Sequence, residues 1–137
     1  MMKKFFSTSL GPVQTGIALL IMRLGIGALM LTHGWPKLMR LIEGGEIVFR
    51  DPLGIGTVTS LIFAMLAEFV GSIFIMLGIA TRMASAALIF TMAVAVFMVH
   101  ADDPFARKEL GLIYMLVYVV LLITGSGKYS LDRLVRK

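Results

Sequence analysis

Residues 83–99, MASAALIFTMAVAVFMV, decide the class of this protein, because the stretch contains no charged side chain. A helix on the surface of a soluble protein carries polar residues along one face at helical spacing. This stretch has no such face, so its composition disfavours a soluble helical bundle.

Three further apolar stretches surround it, at about residues 13–32, 57–79 and 110–124. Hydrophobic residues make up 58% of the chain and charged residues 15%, which is too apolar for a soluble domain of this length. A spanning helix needs roughly 20 residues, and the last stretch reaches that length if its helix begins near Pro104, after a cap by Asp102 or Asp103. We therefore predict one domain, 1–137, an all-α integral membrane four-helix bundle with spans at about 13–32, 57–79, 82–99 and 104–124.

The first outer loop is expected to contain a short amphipathic segment. Gly34 and Pro36 follow His33 and are typical of a helix end. Leu38, Leu41 and Ile42 then alternate with charged residues, a pattern that favours a short helix on the membrane surface.

The basic residues predict the orientation of the bundle. With four spans, seven Lys and Arg residues fall on the side of both termini and five on the other side, while Arg23 lies within a span. This bias favours both termini in the cytoplasm. This topology explains the net charge of +5 better than nucleic-acid binding does, so no nucleic-acid partner is expected. The basic C-terminal tail is interpreted as an anchor beside anionic lipid. The first group is Lys3, Lys4, Arg82, Lys128, Arg133, Arg136 and Lys137, and the second is Lys37, Arg40, Arg50, Arg107 and Lys108.

The chain contains no cysteine, which excludes disulfides, thiolate-bound clusters and cysteine nucleophiles. A redox role would therefore need a bound cofactor or a partner protein. No catalytic residue can be assigned, and whether the protein is an enzyme stays open.

Arg23 and Glu68 are charged residues near the middle of two spans. Arg23 lies ten residues beyond Val13 and Glu68 eleven beyond Thr57, about 15 Å and 16 Å into a core of roughly 30 Å. Such residues usually face a partner or a cavity. We predict that they pair, either to fix helix register or to form a ligand-binding polar site.

His33 and His100 end the first and third spans, so both are candidates for one outer vestibule above the Arg23 layer. Histidines there can bind haem or a metal or pass protons, or they can simply cap helix ends. Met30 and Met98 precede them and make a copper site conceivable, although methionine is also an ordinary packing residue. No firm metal site follows from these residues.

Tyr114 and Tyr118 are four residues apart and share one face of the fourth helix. Their phenols are candidates for lining a pocket for a quinone-like molecule, and ordinary core packing is the alternative. Trp35 suits the membrane interface and is a further candidate for the pocket lining.

The ordered set of short motifs resembles the DoxX family over nearly the full length of the chain. The resemblance implies a four-helix bundle of the bacterial-type inner membrane, related to the membrane subunit of an archaeal thiosulfate:quinone oxidoreductase. Some relatives are associated with thiol-oxidation or oxidative-stress complexes and others with cargo handling or receptor assembly, so the resemblance implies fold and location more than activity. The motifs are Arg23-Leu24-Gly25, His33-Gly34-Trp35-Pro36-Lys37-Leu38, Ala67-Glu68-Phe69-Val70-Gly71, Leu77-Gly78-Ile79-Ala80-Thr81-Arg82, His100 and Gly125-Ser126-Gly127-Lys128-Tyr129-Ser130-Leu131-Asp132.

Two function classes remain open. The first is a non-enzymatic membrane module that binds a small ligand or scaffolds a partner, and the lack of cysteine favours it. The second is a redox-linked subunit that uses a quinone-like molecule together with a soluble or membrane redox enzyme. A homo-oligomer is compatible with both.

Overall fold

The computed structural model describes residues 8–136, which form five helices and no strand. Residues 1–7 and 137, which include Lys3, Lys4 and Lys137 of the charge count, lie outside the described residues. The helices are α1 (Pro12–Glu43), α2 (Thr57–Leu77), α3 (Thr81–Val99), α4 (Phe105–Thr124) and the short α5 (Leu131–Val135).

The first three helices are each long and apolar enough to cross a membrane. This confirms the predicted all-α membrane protein. Helix α4 has 20 residues, but Arg107, Lys108 and Glu109 lie in its first turns. The count of four spans and the position of the termini therefore stay predictions.

Helix α1 is longer than its hydropathy indicates, because it continues through Gly34 and Pro36 to Glu43. The expected helix end at His33 and the separate amphipathic segment were wrong, since residues 38–43 form the last turns of α1. Packing explains the difference: a Cβ atom at Gly34 would lie 2.6 Å from the backbone nitrogen of Phe69. Glycine thus lets α1 and α2 touch there, and this contact outweighs the weak helix propensity of Gly and Pro.

Helices α1 and α2 run antiparallel, and glycines set their register. A Cβ atom at Gly27 would lie 3.1 Å from the Ser72 carbonyl oxygen, while Gly34 faces Glu68 and Phe69. The four long helices enclose one core, whose fully buried side chains include Met30, Ile75, Leu88, Tyr118 and Leu121.

The two ends of the bundle are closed differently. At the basal end, α2 turns into α3 through Gly78 (φ 70°) and Ala80 (φ 44°), and Asp132 accepts hydrogen bonds from the Ala80 N–H (2.7 Å) and the Thr81 N–H (3.2 Å). At the apical end, the loop 44–56 covers the bundle. There Asp51 accepts from the Gly56 N–H (2.8 Å) and from the Ser60 hydroxyl (2.7 Å).

Candidate functional site

Arg23 lies at the basal end, where the segment after α4 meets α1. Its side chain is 1% exposed, and one guanidinium nitrogen donates to the Tyr129 carbonyl oxygen. Gly78 packs so closely that a Cβ atom there would collide with the guanidinium. The Nε and Nη1 atoms of Arg23 have no hydrogen-bond acceptor among the described residues. Arg23 therefore holds the C-terminal segment against α1 and the α2–α3 turn.

Glu68 lies farther along the bundle and pairs with Lys37, whose Nζ is 2.5 Å from Glu68 Oε2. The predicted Arg23–Glu68 pair was therefore wrong. Lys37 follows Arg23 by 14 positions on α1, about 21 Å along the axis, and the glycine contacts place Glu68 beside the Lys37 end. The depth estimate failed because it assumed that α1 ends near residue 32.

Lys37 and Glu68 open into a groove between α2 and α3, which we call the α2–α3 groove. Its volume is about 990 Å³. The groove exists because small residues line its floor, and larger, exposed side chains such as Phe63, Phe74 and Phe90 stand along its rims. The small lining residues are Ala64, Ala67, Gly71, Ala84 and Ala87.

Both helices beside this groove contain a π-helical turn. Residues 66–70 of α2 and 95–99 of α3 form these turns, and members of both line the groove. Single π turns inside α-helices occur frequently at functional sites, because the extra residue widens the helix and redirects side chains. The turn in α2 contains Glu68 itself.

Polar side chains gather at the apical end of the groove. Arg40, Arg50 and His100 line it together with the Lys37–Glu68 pair. Two of them also fasten the covering loop, since Arg40 donates to the Val48 carbonyl and Arg50 to the Val99 carbonyl, each at 2.9 Å. The groove is therefore apolar along its length and polar at this end.

His100 is held by a carboxylate from the α3–α4 turn. Its Nδ1 atom lies 2.6 Å from Asp103 Oδ2. The hydrogen bond with His100 lowers the pKa of Asp103, so that carboxyl stays ionised at neutral pH. The other ring nitrogen forms no hydrogen bond with the part of the chain that the structure describes, so it can make a further contact.

On the core side of Glu68, an aromatic stack connects α1 with α4. The His33 ring meets the Tyr114 ring edge-on at 5.7 Å, and Tyr114 stacks on Tyr118 at 6.2 Å. The Tyr118 hydroxyl is buried and has no hydrogen-bond partner among the described residues.

The remaining predicted residues are dispersed. Trp35 is exposed and packs against Phe69 with ring centroids 6.0 Å apart, so it does not line the groove. Met30 is buried in the core, whereas Met98 is about half exposed. Within residues 8–136, no group of three or more His, Asp or Glu side chains could hold a metal ion.

Sequence reasoning missed Lys37, Arg40 and Arg50. A usable signal was present for the first two: His33, Lys37 and Arg40 follow one another at spacings of four and three, which places them on one helical face. No comparable pattern identifies Arg50, because its position depends on the irregular loop 44–56.

Comparisons with known proteins agree with this architecture. The DoxX family matches residues 18–101, and no solved structure matches the chain. A protein of Haemophilus influenzae described as "Uncharacterized protein" is 31% identical over 83% of this chain and 87% of its own length.

Two further relatives carry more informative names. "Inner membrane protein YqjF" of Escherichia coli is 31% identical over 88% of this chain and 94% of its own length. "Putative oxidoreductase CatD" of Bacillus subtilis is 27% identical over 88% of this chain and 89% of its own length. With a family match over more than half of its residues and relatives of similar length, this membrane protein belongs to the DoxX family.

Proposed function

We propose that this protein is a small-ligand-binding membrane module and that the α2–α3 groove is its site. The observation that carries the proposal is the Lys37–Glu68 pair, which is mostly buried yet lines an apolar groove. Charged groups at such depth are retained where they face a cavity or a ligand. Pockets that combine apolar walls with a few polar groups are the usual sites for small molecules.

The chemistry of the groove favours an amphipathic ligand with a carbonyl or hydroxyl head. The Lys37 ammonium can donate to a carbonyl oxygen, and the Glu68 carboxylate can accept from a hydroxyl group. The apolar walls would hold a hydrocarbon tail, which also contacts lipid. A quinone-like molecule combines these features, and its oxidised and reduced forms would each find a partner in the pair.

A redox-linked subunit is the second candidate, supported by the printed name of the Bacillus subtilis relative. In this version Glu68 and the Tyr114–Tyr118 stack would carry protons to and from the bound molecule. Electron transfer would require a further bound cofactor or a partner enzyme, because the chain has no cysteine to carry thiol chemistry. We further propose a bacterial-type inner membrane location with both termini in the cytoplasm, supported by the Escherichia coli relative and by the distribution of basic residues.

The test uses neighbouring alanines of α3. Ala86 and Ala87 are both exposed, but only Ala87 is among the residues that line the groove. The full chain and the variants Ala87→Trp and Ala86→Trp are purified from membranes in mild detergent, and co-purified quinone is extracted and quantified per mole of protein. We expect Ala87→Trp to lose most of the quinone and Ala86→Trp to keep it.

Equal quinone content in all three proteins, or none in any of them, would contradict a quinone site in the groove. A redox role predicts in addition that a soluble enzyme co-purifies. It also predicts that the bound quinone is reduced when the substrate of that enzyme is added. If the quinone stays oxidised under those conditions, the redox version is ruled out and the binding module remains.

A further inference from the structure

The basal end contains a second cleft, formed where the start of α3 meets the C-terminal segment. Its volume is about 410 Å³. Arg82 enters it from α3, and Arg133 and Arg136 enter it from α5 and the residue after it. Residues 124–127 also line it.

The charge of this basal cleft is only partly compensated. Among residues 8–136, Asp132 is the one carboxylate that lines the cleft, and its two oxygens already accept the Ala80 and Thr81 N–H groups. Arg82 donates to the Ile123 carbonyl at 3.2 Å, which positions it without neutralising it. No ion pair joins these arginines to a carboxylate within residues 8–136. The cleft therefore attracts an anion.

The surroundings of the basal cleft are apolar, unlike those of a site for a soluble ion. Met83 is 77% exposed and lines the cleft, and Leu134 and Val135 of α5 are 65% and 86% exposed. Arginines beside exposed apolar side chains are typical of a helix at the headgroup level of a bilayer.

The basal cleft is also connected to the α2–α3 groove. Ala80 and Met83 line both spaces, so an acyl chain can pass from the cleft over Met83 to Ala84 without leaving apolar surface. A ligand with a phosphate at one end and a hydrocarbon chain at the other matches this arrangement in charge and in shape.

We infer that the basal cleft is a binding site for an anionic phospholipid. Arg82, Arg133 and Arg136 hold the headgroup phosphate, because guanidinium groups bind phosphate oxygens in a bidentate manner. One acyl chain lies over Met83 in the basal part of the groove. This inference does not depend on the proposed function, which uses the apical end of the groove.

The inference is tested by native mass spectrometry of the intact protein released from nanodiscs of equimolar phosphatidylglycerol and phosphatidylcholine. We expect retained phosphatidylglycerol in excess of phosphatidylcholine. The double variant Arg133→Gln, Arg136→Gln should lower its occupancy roughly tenfold or more, from the contribution of each basic residue near an anionic surface. The control variant Arg107→Gln, Lys108→Gln removes the same charge at the apical end and should leave the occupancy unchanged.

The outcomes separate the sources of the phosphate. Release of the lipid by millimolar inorganic phosphate, or retention of both lipids in equal amounts, would overturn the inference in favour of a general anion site. If the control variant loses as much phosphatidylglycerol, net charge alone explains the binding and the inference is overturned. The proposed function is tested separately, by the quinone content of the proteins purified from membranes, so either idea can fail while the other stands.

Discussion

Arg23 and Lys37 lie on the same helix and both reach the interior, yet their surroundings differ in kind. Arg23 is enclosed by backbone: it donates to the Tyr129 carbonyl and packs on Gly78. Lys37 pairs with the Glu68 carboxylate beside an open groove. The Arg23 contacts hold the C-terminal segment in place, whereas the Lys37–Glu68 pair leaves polar atoms where a ligand can reach them. A buried charge therefore indicates a site only when its partner also faces a cavity.

The largest effect is expected from the charge pair itself. Lys37→Met leaves the Glu68 carboxylate, 5% exposed, without its cation and should lower the free energy of unfolding by about 3 kcal/mol. The double variant Lys37→Met, Glu68→Leu should recover most of this loss, because removing both charges avoids a lone one. Unfolding in mixed micelles measures both values.

A second double-mutant cycle, which combines Arg23→Met with Glu68→Leu, provides the comparison. These residues have separate partners, so their effects on the free energy of unfolding should add. A coupling in this cycle as large as the one for Lys37 and Glu68 would mean that Arg23 and Glu68 do pair, against the structure.

The next effect concerns the contact that sets the position of Glu68. Gly34→Ala would place a methyl group 2.6 Å from the Phe69 backbone nitrogen, so α1 and α2 must move apart. This should lower the free energy of unfolding by about 2 kcal/mol. Gly25 is the matched control in the same helix, because a Cβ there meets nothing within 4 Å. Gly25→Ala should be neutral or slightly stabilising. Equal melting temperatures for the two variants would argue against the close approach at Gly34.

A moderate effect is expected at the basal end, through pH. Desolvation raises the pKa of Asp132, but hydrogen bonds from the Thr81 and Ala80 N–H groups outweigh it and leave that pKa below its ordinary value. A carboxyl with a lowered folded-state pKa stabilises the fold above its unfolded pKa of about 4. This stability is lost as the pH falls through the folded-state pKa.

Asp132→Asn should therefore lower stability at pH 7 by about 1 kcal/mol, as for the loss of a helix cap. It should also flatten the decline in melting temperature below about pH 4. If the melting temperature of the variant declines with pH as steeply as that of the native chain, another carboxyl controls the acid response.

The smallest effect is expected for a surface pair at the apical end. Arg107 Nη1 lies 3.7 Å from Asp103 Oδ2, and the arginine side chain is 71% exposed. Arg107→Gln should change the free energy of unfolding by less than about 0.5 kcal/mol. A loss comparable to that of Lys37→Met would mean that burial is not what separates the two pairs.

Hydropathy alone predicted most of the helical architecture, because α2 and α3 are apolar apart from Glu68 and Arg82 and end at recognisable turns. It failed at the end of α1, where Gly34 serves a contact with another helix and Pro36 is tolerated inside the helix. Because of that local error, Arg23 was expected to pair with Glu68, whereas the partner in the structure is Lys37. The groove was not predictable either, since it depends on which small residues of α2 and α3 face the same side.

The bond from Arg23 to the Tyr129 carbonyl also bears on the order of biosynthesis. Ribosomes make a chain from its N-terminus, so Arg23 is made more than a hundred residues before its acceptor. Until residues 125–132 are added, the guanidinium lacks the backbone oxygen that it uses in the finished fold. A chain interrupted before that segment therefore keeps, in its first helix, a cation without the acceptor that it has in the finished fold.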